Sequence, residues 1–173
     1  STNAGLWRYI IGDTIKFTQL YPHRFKITGR TKHFINAFGE ELVIENADFA
    51  ISQCCVELNV KVIDYTAAPV HFESETIGTH QWLIEFENMP DNMDEFTHKL
   101  DYYLKQSNSD YEAKRYKDMA MILPRVHAVQ KGTFYNWMKK NGKLGGQHKV
   151  PRLSNNREYI EDILATLNSA SSS

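Results

Sequence analysis

Two β-rich runs separated by a short turn set the strongest limit on what this chain can fold into. Val60 to Phe72 carries Val60, Val62, Tyr65, Val70 and Phe72, and His80 to Glu87 sets Trp82, Ile84 and Phe86 on one face. A period of two with β-branched and aromatic residues is the signature of a strand with a buried side. Gly78 supplies a turn, so the pair predicts an antiparallel hairpin. Pro69 has no N–H to give to a ladder, which makes that end of the first strand an edge or a bulge. Glu85 and Glu87 fall on the face opposite Trp82, where carboxylates are expected to be solvated.

A hairpin by itself is marginal in water and needs a further layer. From Glu40 to Leu58 the residues Val43, Ala47, Ala50, Cys54 and Leu58 recur at spacings of four and three, one stripe of an amphipathic helix that covers a sheet. Asp91 to Gln106 is helical by Phe96, Leu100 and Tyr103, and its acidic start suits a helix N-terminus. A further turn or two follows from Asp110 to Lys117, then an apolar run, Met121 to Val129, that fits a third strand limited by Pro124. Thr133 to Lys140 reads as a short helix ending at Gly142. Asn155 with Glu158 three residues on matches a capping box that opens a last helix, with Ile160, Ile163, Leu164 and Leu167 inward.

At the other end, Gly5 to Leu20 reads as two short strands across a bend at Gly12-Asp13, and Phe25 and Ile27 mark a third. Ser169 to Ser173 reads as a disordered tail. Strands with helices on one side predict an α+β fold built on a small mixed or antiparallel sheet flanked by helices.

A chain of 173 residues buries roughly two thirds of its unfolded surface, enough for a core without staples. Its net charge of −1 draws neither nucleic acid nor membrane, so any functional charge is local. No apolar run reaches membrane length and no charged-then-apolar leader opens the chain, so a cytoplasmic location with no membrane partner is expected. Cys54 and Cys55 are neighbours in a helical pattern, which predicts reduced, packed thiols. The seven histidines show no metal-ligand spacing, and no structural metal is expected.

Three stretches can carry chemistry. Tyr9 to Asp13 ends in a carboxylate at a bend, which can accept two ribose hydroxyls. Gly29-Arg-Thr-Lys-His-Phe-Ile-Asn-Ala-Phe-Gly-Glu-Glu-Leu42 joins a strand to a helix and places Arg30, with a planar fork suited to phosphate, two residues before Lys32. Gly142-Lys-Leu-Gly-Gly-Gln-His-Lys-Val-Pro-Arg152 is a glycine-rich cationic loop, in which lysines meet anions while glycines let the backbone approach. It lacks the Gly-Lys-Ser/Thr of a Walker loop. A non-catalytic module that uses loop 142–152 for an anionic partner is the alternative reading.

The order of these stretches resembles adenylate-forming enzymes. Tyr9-Ile-Ile-Gly-Asp13 looks like their Tyr-Arg-x-Gly-Asp motif, and Gly29 to Leu42 is similar to their hinge motif, Gly-Arg-x-Lys-Asp-x-Ile-x-x-x-Gly-x-x-Ile. More closely, Gly5-Leu-Trp-Arg-Tyr, Gly12-Asp13, Asp64-Tyr-Thr66 and Gln147-His-Lys-Val-Pro-Arg152 together resemble the bacterial branch of the auxin-responsive acyl-acid amido synthetase family, over nearly the whole chain.

The resemblance implies that ATP, accompanied by Mg²⁺, activates a small carboxylic acid, and that the acyl group then passes to an amine or amino acid. It implies that Tyr9 and Asp13 lie at the ribose, that Arg30 assists at ribose or phosphate, and that Lys32 is a pivot. Lys149 would reach the phosphates during adenylation. Lys143, in a terminal-type Gly-Lys, competes for that role, and the Gln-x-Lys-x-Pro-Arg context favours Lys149. Ile10 stands where plant relatives have arginine, and His33 replaces an aspartate beside the pivot. Asn36 stands where luciferase-like enzymes carry a second lysine, against thioester chemistry of their kind.

By the same resemblance, residues 1–30 are a remnant of a large N-terminal domain, residues 31–168 a mobile C-terminal domain, and 169–173 a tail. The partner would be the missing N-terminal domain, with no nucleic acid. The chain alone is expected to be inactive.

Overall fold

The computed structural model describes residues 13–30, 34–72, 77–118, 120–142 and 149–170. By its contacts the chain divides into two units, Ser1–Lys32 and His33–Ser173.

In the first unit, β1 (Asp13–Leu20) and β2 (His23–Arg30) form an antiparallel hairpin. Alternating Ile15 and Phe17 meet alternating Ile27 and Phe25 in register, and the Phe17 and Phe25 rings lie edge to face at 6.4 Å. Cross-strand aromatic pairs of this kind are a unit of sheet stabilisation. The chain turns through Tyr21-Pro22, a cis peptide. At the open end Asp13 stands opposite Arg30. The strand expected before Gly12 lies outside the described residues.

The second unit opens with a two-residue ladder, β3 (Phe34–Ile35) on β4 (Leu42–Val43), and α1 (Ile44–Glu57). The predicted hairpin follows as β5 (Lys61–His71) and β6 (Gly78–Asn88), antiparallel, with Tyr65 opposite Ile84 and Ala67 opposite Trp82. Then come α2 (Met93–Ser107), α3 (Ser109–Arg115), β7 (Arg125–Val129), α4 (Thr133–Lys140) and α5 (Glu158–Ala170). Strand β7 pairs parallel with β6, so the sheet is mixed in the order β5-β6-β7. Both prolines find edges: Pro69 lies in edge strand β5, and Pro124 directly precedes edge strand β7. Strand β7 is shorter than the expected 121–129 run for that reason.

Helices cover both faces of this sheet, not the one face expected. Trp82, Ile84 and Phe86 pack with Ala47, Ala50, Cys54, Phe96, Leu100 and Tyr111 from α1, α2 and α3. Leu83 and Ala68 point the other way, into a second core with Phe134, Trp137, Ile160 and Ile163 of α4 and α5. The period-two pattern marked one buried face, yet Trp82 through Phe86 are all buried, as a central strand between two layers requires.

That second layer also reverses the reading of Glu85. Its side chain is buried and caps α4: Gly132 N–H donates to Oε1 at 2.7 Å and Phe134 N–H to Oε2 at 3.2 Å. The α4 helix has no side-chain cap of its own, so a carboxylate from β6 takes up its first amides and complements the dipole. Glu87 remains outward, paired with Lys61 at 2.5 Å. The cap of α5 is likewise displaced by one residue. Asn156 Oδ1 accepts from Glu158 N–H at 3.3 Å, whereas Asn155 Oδ1 accepts from Asn36 N–H at 2.7 Å. Helix α5 continues to Ala170, past the expected 168, and 171–173 lie outside the described residues.

Helix α1 starts at Ile44, four residues later than the stripe suggests. Gly39 and Glu41 have positive φ, 81° and 40°, which no helix tolerates. Between them Glu40 turns into the core, where its Oε1 lies 2.8 Å from His80 Nε2 and both side chains are fully buried. Burial pushes the Glu40 carboxyl up, but the His80 hydrogen bond and charge and the Phe38 amide outweigh it and hold it below its ordinary value. Cys54 sits buried on the α1 stripe as expected, and burial first, then Cys55 and Glu57, push its thiol up to about 12.

Gly78 opens β6 at a point of close approach. A Cβ there would lie 2.1 Å from Phe38 Cζ and 2.6 Å from the Val70 carbonyl oxygen. Gly78→Ala is therefore expected to destabilise the second unit by about 1–3 kcal/mol, read as a lower urea midpoint at unchanged slope. An unchanged midpoint would refute that contact.

Candidate functional site

A convergence of polar groups from three elements lies at the outer edge of β5. Segment 149–154 runs alongside it: Ala67 N–H donates to the Arg152 carbonyl at 2.8 Å, Ser154 N–H donates to the Ala67 carbonyl at 3.1 Å, and Ala67 and Leu153 form a parallel bridge. The Thr66 hydroxyl donates to the Pro151 carbonyl at 2.6 Å. An edge strand leaves a row of amides and carbonyls unpaired, and this segment takes them up. Val150 is buried in the second core beside Ala68, while Lys149 just before it is exposed. A cationic side chain thus stands in solvent at the head of an anchored segment.

The anchor has an ionic clasp. Arg152 Nη1 donates to both oxygens of Asp48 on α1, at 2.7 Å each, and its Nε lies 3.7 Å from Asp64 Oδ1. The guanidinium carbon lies 5.2 Å from the centre of the Tyr65 ring, and the Tyr65 hydroxyl donates to the same Asp48 Oδ1 at 2.5 Å. Three elements, α1, β5 and the 149–154 segment, meet at one guanidinium. Burial, then Asp48, pushes the Tyr65 phenol well up, so it stays a neutral donor. Burial pushes the Asp64 carboxyl above its ordinary value against the Tyr65 amide and the charges of Arg152 and Lys149.

Asp64-Tyr65-Thr66, quoted above only for its resemblance, is in contact with Pro151 and Arg152 at the end of the cationic loop. Of the other candidates, Asp13 and Arg30 are cross-strand partners in the first unit, while Lys149 belongs to the second. Tyr9, Ile10, Lys32, His33 and Lys143 lie outside the described residues. Asn36 is exposed, and its side chain accepts from Glu41 N–H at 3.2 Å. Sequence reasoning missed Asp48, which sits one residue after the apolar stripe position Ala47 and reads there as a solvated helix carboxylate. Among the described residues, no three His, Cys, Asp or Glu side chains gather to hold a metal, and no helix is long and apolar enough to cross a membrane.

Comparison with known proteins gives this geometry a family. The model of the GH3 family C-terminal domain matches residues 45–158, more than half of the chain, and that of the GH3 family central domain matches residues 1–30. Two curated Arabidopsis thaliana proteins are similar in sequence. Indole-3-acetic acid-amido synthetase GH3.3 is 28% identical over 170 residues, and indole-3-acetic acid-amido synthetase GH3.4 is 27% identical over 167. Each match takes in 88% of this chain but 27% of the relative, so the chain spans about a quarter of their length. Among solved structures, GH3.15 acyl acid amido synthetase superposes with a TM-score of 0.73 at 22% identity, covering 95% of this chain and 31% of that one. A second structure, of AtGH3.15 in complex with 2,4-DB, gives 0.69 at 20% identity over the same shares. The structural likeness carries the α+β fold, and the match over residues 45–158 carries the identity: this chain belongs to the GH3 family.

Proposed function

We propose that this chain is the C-terminal portion of an ATP-dependent acyl-acid amido synthetase. In the first step a carboxylate oxygen of the acid attacks the α-phosphorus of ATP, and pyrophosphate leaves. In the second an amine or amino acid nitrogen attacks the acyl carbon of the adenylate, AMP leaves with the bonding electron pair, and the nitrogen loses a proton.

The observation that supports this reading most is the contact between Asp64-Tyr65-Thr66 and Pro151-Arg152, which presents Lys149 in solvent on an anchored segment. A phosphoryl centre that gains negative charge is best stabilised by a cation placed for that step. Lys149 supplies that cation to the phosphate oxygens, and Lys143 lies nearby in sequence. Asp13, cross-strand to Arg30, accepts from the ribose hydroxyls, with Tyr9 beside them and Arg30 at the ribose or phosphate. The division of the chain after Lys32 fits a pivot at that residue, with residues 31–168 the moving body and 1–30 belonging to the large domain. ATP enters with Mg²⁺, for which no ligand is assigned on this chain.

The full-length protein is expected to show acid-dependent ATP–pyrophosphate exchange, and amine-dependent AMP release, in a screen of carboxylic acids against amino acids. These 173 residues alone should show neither. Exchange by the isolated chain, or none with any acid by the full-length protein, would overturn the reading.

A further inference from the structure

We infer that Asp48 and Arg152 are positioning residues for Lys149, an inference that rests on the adenylation role proposed above for that lysine. A lysine is a point charge on a flexible four-carbon stem, so its reach is useful only if its backbone is placed. Here the backbone after Lys149 is held at four successive points. Val150 is buried, the Pro151 carbonyl accepts from Thr66, the Arg152 carbonyl accepts from Ala67 N–H, and the Arg152 side chain grips Asp48.

The first three ties connect the segment to β5 and the second core alone. The fourth reaches α1 and, together with Leu153 buried in the first core, sets the segment against the opposite layer. Asp48 takes three donated hydrogen bonds, two from Arg152 and one from Tyr65. With Nη1 on both Asp48 oxygens and Nε 3.7 Å from Asp64, the planar guanidinium is set between two carboxylates, and its orientation is fixed by both. With Asp48 neutralised, the nearest remaining carboxylate is Asp64, 3.7 Å from Nε, and the guanidinium turns toward it.

The side chains of Arg152 and Asp48 are 38% and 42% exposed. A pair that open to water contributes about 0–1 kcal/mol to stability, so its effect is on geometry. Misplacing a catalytic group by about 1 Å costs about 100-fold in rate. A structural role would appear as a lower Tm with normal turnover per folded molecule. A positioning role would appear as a lower kcat with little change in Tm.

The test uses acid-dependent ATP–pyrophosphate exchange by the full-length protein, with Tm measured on every variant. Asp48→Asn and Arg152→Gln should each lower kcat by about 10- to 100-fold with KM for ATP little changed. The double variant should be no worse than the poorer single, because both break one tie. Arg152→Lys, which keeps the charge but has no planar guanidinium to face Asp48 and Asp64 at once, should show a similar loss. Lys149→Ala is the reference. If it leaves exchange intact, the adenylation reading itself has failed. If it abolishes exchange while Asp48→Asn and Arg152→Lys keep wild-type kcat, or if the two losses simply add, the positioning role is overturned.

Discussion

Asp101→Ala is expected to lower the unfolding free energy of the His33–Ser173 unit by about 3–5 kcal/mol, a large part of the stability of an ordinary domain. Asp101, on α2, is almost fully buried and takes four donors: Arg115 Nε at 2.7 Å and Nη2 at 3.2 Å, the Tyr111 hydroxyl at 2.9 Å, and Lys105 Nζ at 2.6 Å. Arg115 is itself buried, so removing the carboxylate strands a guanidinium whose other partners are Asp118 and the Met121 carbonyl at 2.7 Å. Asp118 and Lys117 before it are both held at positive φ, 54° and 51°, a conformation that non-glycine residues keep only under constraint. The same turn delivers the Ala120 carbonyl to Gly78 N–H at the start of β6. Loss of Asp101 therefore reaches the sheet. A urea midpoint within error of wild type would sink the prediction.

The network also sets an acid limit. Burial pushes the Asp101 carboxyl up, but its bonds to Arg115 and Lys105 outweigh that and hold it below its ordinary value. A folded pKa below the unfolded one stabilises fully above the unfolded value, about 3.9, and this stabilisation is lost as pH falls through the folded value. Glu40, also held below its ordinary value, has the same sign. Stability should thus fall steeply below about pH 4, and less steeply in Asp101→Asn.

Lys149→Ala in the full-length protein is expected to cut kcat of acid-dependent ATP–pyrophosphate exchange by about 100- to 1,000-fold, the usual cost of removing one preorganised donor to developing charge. The loss should fall on kcat, because the interaction is made in the transition state. Lys149 is exposed, so its removal should leave Tm unchanged and separate a catalytic defect from a folding one. Asp13→Ala should weaken the same reaction through nucleotide binding. Normal exchange in both variants would remove the assignment of these residues.

Much of the fold was legible because its signals are local. The alternation of Trp82, Ile84 and Phe86 gave the core strand, and the stripe through Ala47, Ala50 and Cys54 gave the helix against it. Both follow from the period of the backbone. Glu85 was misread because its environment depends on α4, whose first turn lies 47 to 49 residues further on. Glu40 was read as helical because its partner His80 is 40 residues away. The α5 cap moved from Asn155 to Asn156 since Asn155 is drawn off by Asn36, 119 residues earlier.

The candidate site divides the same way. By itself the chain's order of residues determined the core hairpin, the helical stripes, and the cationic loop that carries Lys149. Only the tertiary structure decided that Arg152 closes on Asp48, 104 residues earlier, and that Thr66 holds Pro151 across 85 residues. Periodicity and capping act within about a turn of the chain, and so leave a pattern that can be read along it. A carboxylate's charge carries no address, and which guanidinium it meets is settled when the packed layers bring the two together.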